Sequence, residues 1–144
     1  MDGMERFEAH PARTMSIRSM QAAEAGDREG WLALFAPDGL VQDPVGPSPF
    51  DPEGLGHQGV AAIGAFWDSV ISMGEVRFAI RESYAAGTEC ANVGTITTTL
   101  GDGSRAIVDG VYTYRIDDAG RLAALRAVWE FDNLRMERPA APPG

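Results

Sequence analysis

The sequence predicts an α+β fold in which a curved, mostly antiparallel sheet wraps around three helices, in the order α-α-β-α-β-β-β-β. Three observations predict it. Apolar residues recur with helical period in the first half and alternate in the second, with the change at Ser72-Met73-Gly74. The alternating segments are joined mainly by tight turns, Gly87-Thr88, Gly101-Asp102-Gly103 and Asp117-Asp118-Ala119-Gly120, which makes sequential strands antiparallel neighbours. Helices come first and the meander after, the pattern of a segregated α+β architecture. Folding the sheet around the helices buries both amphipathic sets and leaves a cone-shaped cavity between them.

Each element has its own signal. Ala12 to Ala25 reads as a helix, with Met15, Ser19 and Ala22/Ala23 on one stripe. Gly26 closes it, and Asp27 caps a second, short and strongly apolar helix over Arg28 to Ala36. Pro37-Asp38-Gly39 turns into a short strand, Leu40-Val41. From Pro44 to Gly56 the chain is Pro- and Gly-rich and too long for a routine connection, so it is a functional wall or lid, or a mobile insertion. A third helix spans about Gln58 to Ile71, with Val60, Ile63, Phe66, Trp67 and Val70 on a broad apolar face. Four strands follow: Val76 to Ala86, Cys90 to Leu100, Ala106 to Ile116 and Leu122 to Phe131. The expected organisation is a flexible lead-in over residues 1–11, one domain over 12–135 and a disordered, Pro/Ala-rich tail over 136–144.

Composition narrows the function classes. The chain has 144 residues and a formal net charge of −9, which argues against nucleic acid and against an anionic membrane surface. No apolar run reaches membrane-spanning length, and MDGMERFEAH has neither the basic nor the apolar region of a signal peptide. The single cysteine, Cys90, reads as a buried strand residue and fits a reducing, cytoplasmic location. His10 and His57 lie far apart, and neither metal-ligand spacing nor a cofactor fingerprint occurs, so no metal and no cofactor are expected.

The stretch that carries chemistry is Leu40-Val41-Gln42-Asp43-Pro44-Val45-Gly46. A strand delivers one carboxylate, Pro44 ends the ladder because it lacks an amide hydrogen, and the long loop begins. Asp-Pro is also an ordinary turn opener, so a plain turn is the competing reading.

The chain resembles the 3-oxo-steroid delta-isomerases, or ketosteroid isomerases, within the cystatin-like cone-fold superfamily of nuclear-transport-factor-2-like, SnoaL-like and polyketide-cyclase-like domains. Two stretches carry the match: Ala25-Gly-Asp-Arg-Glu-Gly-Trp through Asp43-Pro-Val-Gly, and Asp109-Gly-Val-Tyr-Thr-Tyr-Arg through Trp129-Glu-Phe-Asp. Gly59 to Trp67 resembles the family's third helix, and a mycobacterial-type branch is the more similar.

The resemblance implies an enzyme that shifts a proton on a small apolar polycyclic ketone, a steroid or a polyketide, without a cofactor. Asp43 falls on the family's general base; a carboxylate base facing an oxyanion hole is this family's known arrangement. Ser19 falls on the family's oxyanion-hole tyrosine, and Tyr112 on its oxyanion-hole aspartic acid. A phenol donates a hydrogen bond to an enolate, so Tyr112 is the expected carbonyl donor, whereas Ser19 is shorter than the side chain it replaces. Trp129 matches a pocket tryptophan and Trp67 a supporting tyrosine. Ser19, Trp67, Thr95, Thr97, Tyr114 and Trp129 make up the expected substrate-binding set. Asp109 is out of parity with Gly110, Tyr112 and Tyr114, so it points out of the cone unless a bulge shifts the register. The family dimerises through the outer sheet face, for which Val111, Thr113, Ile96 and Thr98 are the expected outer residues. A reading from another class is a non-catalytic binding module or carrier for an apolar ligand in the same pocket.

Overall fold

The computed structural model describes residues 4–139. Helix α1 spans Pro11–Ala25, α2 Arg28–Leu32 and α3 Val60–Ser69. The strands are β1 (Phe35–Gln42), β2 (His57–Gln58), β3 (Gly74–Ala86), β4 (Glu89–Leu100), β5 (Arg105–Ile116), β6 (Leu122–Val128) and β7 (Arg135–Glu137). They form one seven-stranded sheet in the order β2-β1-β6-β5-β4-β3, with β7 paired to β5. All pairings are antiparallel except β1 with β6. The curved sheet closes over the three helices, and the core lies between them.

The helix boundaries follow from capping. His10 Nδ1 accepts from the Ala12 amide (3.1 Å), with Pro11 in the first helical turn, where its missing amide costs nothing. Gly26, at φ 67°, takes the left-handed conformation that closes α1. Asp27 Oδ1 accepts from the Gly30 amide (3.0 Å) and starts α2.

Several expectations need correction. The second helix stops at Leu32, not Ala36, because Phe35 is drawn into the ladder with Leu122 of β6. Strand β1 therefore begins earlier than Leu40, and Pro37-Asp38-Gly39 is an irregularity inside it rather than a turn before it. β6 ends at Val128, short of Phe131, which opens a 3-10 turn over Phe131–Asn133. The lead-in is not loose where it is described. Met4 is buried in the core, and Arg6 donates to the Ile80 carbonyl (2.8 Å). Nor is the tail unstructured from 136: Ala106 pairs with Met136 and Arg105 with Glu137. Residues 1–3 and 140–144 lie outside the described residues.

One end of the cone is closed by a buried polar ring linking α1 to β3 and β4. Arg13 Nε donates to Ser83 Oγ (2.9 Å), Ser83 Oγ to Asn92 Oδ1 (2.7 Å), Asn92 Nδ2 to Ser16 Oγ (3.1 Å), and Ser16 Oγ to the Arg13 carbonyl (2.7 Å). Cys90, buried as expected, adds its thiol to Asn92 Oδ1 (3.3 Å). Among the described residues, no buried side-chain nitrogen or oxygen lacks a partner. No helix among them is long and apolar enough to cross a membrane.

Candidate active site

The register of the sheet decides which side chains enter the cone. In β4 and β5 even-numbered residues pair with even-numbered ones, Asn92 with Tyr112 and Ile96 with Val108. Successive strand residues alternate faces, so one inward residue fixes the rest. Tyr112 and Tyr114 face inward, and so do Ile96 and Thr98. Thr95 and Thr97 therefore lie on the outer face, opposite Asp109 and Ile107, and the expectation that they line the pocket fails. The same parity moves Ile96 and Thr98 from the expected outer face to the inner one, while Val111 and Thr113 keep outer parity. Asp109 points outward. It accepts hydrogen bonds from Thr95 and from Arg135 (2.6 Å for the latter), and these two bonds hold its carboxyl below the ordinary range.

The cavity has two connected parts. An inner chamber of about 90 Å³ is lined by Ser19, Trp31, Asp43, Phe66, Tyr112 and Tyr114 among others. An outer vestibule of about 230 Å³ shares Asp43, Val70, Ile96 and Thr98 with it and adds Phe50, Met73, Leu100, Trp129 and Leu134. The walls are apolar, and the polar groups gather at Asp43 and the two phenols. Among the described residues no cluster of His, Cys, Asp or Glu is arranged to hold a metal ion.

Asp43 follows the last residue of β1, where that strand leaves its parallel pairing with β6. The chain stays anchored beyond it, since the Val45 amide donates to the Ala127 carbonyl (2.9 Å). Trp129 Nε1 donates to Asp43 Oδ1 (2.6 Å). Asp43 is part-buried and lines both parts of the cavity. Burial pushes its carboxyl up from 3.8 to about 6, against the lowering effect of the Trp129 bond. Gly110 makes the tryptophan's approach possible. A Cβ at Gly110 would lie 2.6 Å from the Val128 carbonyl oxygen and 2.9 Å from Trp129 Cβ.

The two phenols differ. The Tyr112 hydroxyl donates to the Val108 carbonyl (2.9 Å). Tyr114 lines the chamber beside Ser19, whose Oγ accepts from Trp31 Nε1 (3.0 Å). Burial first, and the Asp43 charge second, push both phenols above their ordinary range, so both remain protonated.

Of the expected site residues, Ser19, Asp43, Tyr112, Tyr114 and Trp129 converge on the cavity. Trp67 does not. It is buried against Trp31 (5.2 Å between ring centroids), one layer behind the wall. Trp31, Ile96, Thr98 and Phe50 line the cavity without having been expected there. Consistent parity with Tyr112 identifies Ile96 and Thr98. Phe50 had no periodic signal, because the loop that carries it is held by a Ser48–Asp51 turn and by the Gly56 amide donating to Asp51 Oδ2 (2.7 Å). Within the described residues that loop is a built wall whose Phe50 meets Phe131 edge-on (5.9 Å).

The fold and site define a class: a small cone-fold domain with an apolar pocket, one desolvated carboxylate and two protonated phenols. A SnoaL-like domain family model matches residues 17–125, and the chain belongs to that family. It is similar to the Delta 5-3-ketosteroid isomerase from Mycobacterium sp., at 38% identity and TM-score 0.85, over 90% of this chain and 100% of that one. It is also similar to a Mycobacterium tuberculosis protein solved in complex with estradiol-17beta-hemisuccinate. That match has 34% identity and TM-score 0.83, over 88% of this chain and 99% of that one. A third similar structure is a computationally designed 17-OHP binder, at 33% identity and TM-score 0.85, over 90% and 100% of the two chains.

Proposed function

We propose that the protein is a ketosteroid-isomerase-like enzyme that moves a proton within an apolar polycyclic ketone, a steroid or a polyketide. The observation that carries this reading is Asp43: a carboxylate at the junction of both cavity parts, pushed up to about 6, with one oxygen held by Trp129. A base is most effective when its pKa lies near the working pH, and burial brings Asp43 there. In the step proposed, the Asp43 carboxylate takes a proton from the carbon beside the carbonyl. The C–H pair forms the enolate double bond and its charge moves to oxygen. The same carboxyl group then returns the proton to a more distant carbon, and the C=C bond ends in conjugation with the carbonyl. Hydrogen bonds to the enolate oxygen stabilise the intermediate. Tyr112 stands where the resemblance puts that donor, and Tyr114 is the other phenol of the chamber.

The test is absorbance at the enone band with a fused-ring ketone carrying an unconjugated double bond, wild type beside Asp43→Asn. Turnover that falls by a factor of about 100–10,000 in the variant supports the reading. Equal turnover refutes it.

A second reading is a non-catalytic carrier for an apolar ligand. It is favoured by the replacement of the resemblance's oxyanion-hole tyrosine by Ser19 and by the engagement of Tyr112 with Val108. It expects saturable quenching of tryptophan fluorescence by steroids without turnover of any of them. In either case we propose a cytoplasmic homodimer, paired through an outer sheet face that includes Val111, Thr113 and the half-exposed Val128. Sedimentation as a monomer at micromolar concentration would remove the dimer.

A further inference from the structure

The proposed reaction needs a donor at the carbonyl oxygen, and the two phenols are not equivalent. A hydroxyl has one O–H to give. The Tyr112 O–H goes to the Val108 carbonyl at 2.9 Å, so it is already used within β5. Tyr114 is the next inward residue on that strand. Its ring is buried, and it lines the inner chamber together with Ser19 and Asp43.

Trp31 Nε1 is a donor only, and it donates to Ser19 Oγ at 3.0 Å. Ser19 therefore keeps its own O–H to give. A serine oxygen that accepts from Trp31 can give its own O–H to the neighbouring Tyr114 oxygen, which lines the same chamber. The Tyr114 O–H is left for the chamber. Where the resemblance has a tyrosine on the first helix, this chain has the small Ser19. The phenol is supplied from the sheet, with the α1 serine behind it.

We infer that Tyr114, and not Tyr112, donates the hydrogen bond to the carbonyl oxygen of the bound ketone, with Ser19 and Trp31 as positioning residues behind it. This assignment rests on the isomerase-like reading above. It places the carbonyl-bearing ring in the inner chamber and leaves the rest of the ligand to the apolar vestibule. Hydrogen bonds in a row polarise one another, so the Trp31–Ser19–Tyr114 chain makes Tyr114 a stronger donor than an isolated phenol.

The experiment is a titration of wild type, Tyr114→Phe, Tyr112→Phe and Ser19→Ala with 2-naphthol, a fused-ring phenol whose oxygen stands in for the enolate oxygen. Naphthol absorbance reports both binding and the hydrogen bond its oxygen receives. Wild type is expected to bind saturably with a shifted band. Tyr114→Phe is expected to weaken binding about tenfold and to abolish the shift. Tyr112→Phe is expected to keep the shift, and Ser19→Ala to bind with a reduced one, which a purely structural role for Ser19 would not produce. The assignment is overturned if Tyr114→Phe keeps the shift, whatever Tyr112→Phe does, or if wild type shows no saturable binding up to millimolar naphthol. Turnover by Asp43→Asn separates the two claims. Unimpaired turnover there sinks the base reading, while loss of the naphthol shift in Tyr114→Phe would still support the donor.

Discussion

Two regions of the cone bury polar side chains, and they do so differently. At the closed end, Arg13, Ser83, Asn92 and Ser16 pass hydrogen bonds around a ring that returns to the Arg13 carbonyl. All four side chains are buried, and their polar groups bond to one another. In the cavity, Trp129 bonds one oxygen of Asp43, which lines both cavity parts, and by the assignment above Tyr114 has its O–H left to give. A satisfied buried network specifies structure; an incompletely satisfied one has capacity left for a ligand. Hydrogen-bond capacity that the protein does not use itself therefore separates a site from a scaffold more sharply than polarity or burial does.

The largest expected effect lies on the cavity side. Asp43→Asn should lower turnover by a factor of about 100–10,000, measured by single-turnover absorbance, with the fold intact by circular dichroism. Next comes the closed end. Asn92→Ala leaves the Ser16, Ser83 and Cys90 groups buried without their shared partner. It should cost about 2–4 kcal/mol of stability by urea unfolding, with ligand binding by the folded fraction unchanged. If Asn92→Ala instead altered ligand binding without loss of stability, the two regions would not be distinct.

Gly110→Ala tests the link between sheet and base. The added methyl has no room beside Trp129, so the Trp129–Asp43 bond should loosen. That bond lowers the Asp43 pKa, so the midpoint of the pH–rate profile should move above 6 in the variant. An unmoved midpoint would disconnect Trp129 from the base.

A smaller effect sharpens the contrast from the stability side. Asp43 has a raised folded pKa, so the folded state binds its proton more tightly than the unfolded chain does. Stability therefore falls as pH rises from about 4 through about 6, and above that the buried charge is a standing cost. Asp43→Asn carries no such charge. It should be more stable than wild type at pH 7.5, by on the order of 1–3 kcal/mol, and show a much smaller advantage near pH 4, as read by thermal melts. The smallest effect belongs to the outer face, where Asp109→Asn should change stability by less than about 1 kcal/mol because its partners are solvent-exposed.

The fold was legible because its signals are local: the change of period at Ser72-Met73-Gly74, the Gly/Asp turns and the Asp27 cap each specify one element. Asp43 was legible for the same reason, as a strand end followed by Pro44. The misread positions depend on long-range pairing. Thr95 and Thr97 look like pocket residues until the β4–β5 register puts them opposite Asp109 and Ile107. Ala36 looks helical until β6 claims Phe35 for the ladder. Trp67 looks like wall until Trp31 is seen in front of it. The role of Tyr114 depends on three residues from α1, α2 and β5, which no spacing in the sequence connects.

The chemistry of the cavity turns on whether burial holds Asp43 as a base poised near neutral pH. A carbon-13 NMR titration of the side-chain carboxyl groups reads this at the residue itself, with Asp43→Asn used to assign the resonance. Desolvation in the cone should make Asp43 titrate with a midpoint near 6. A midpoint at or below about 4, the ordinary aspartate range, would contradict it.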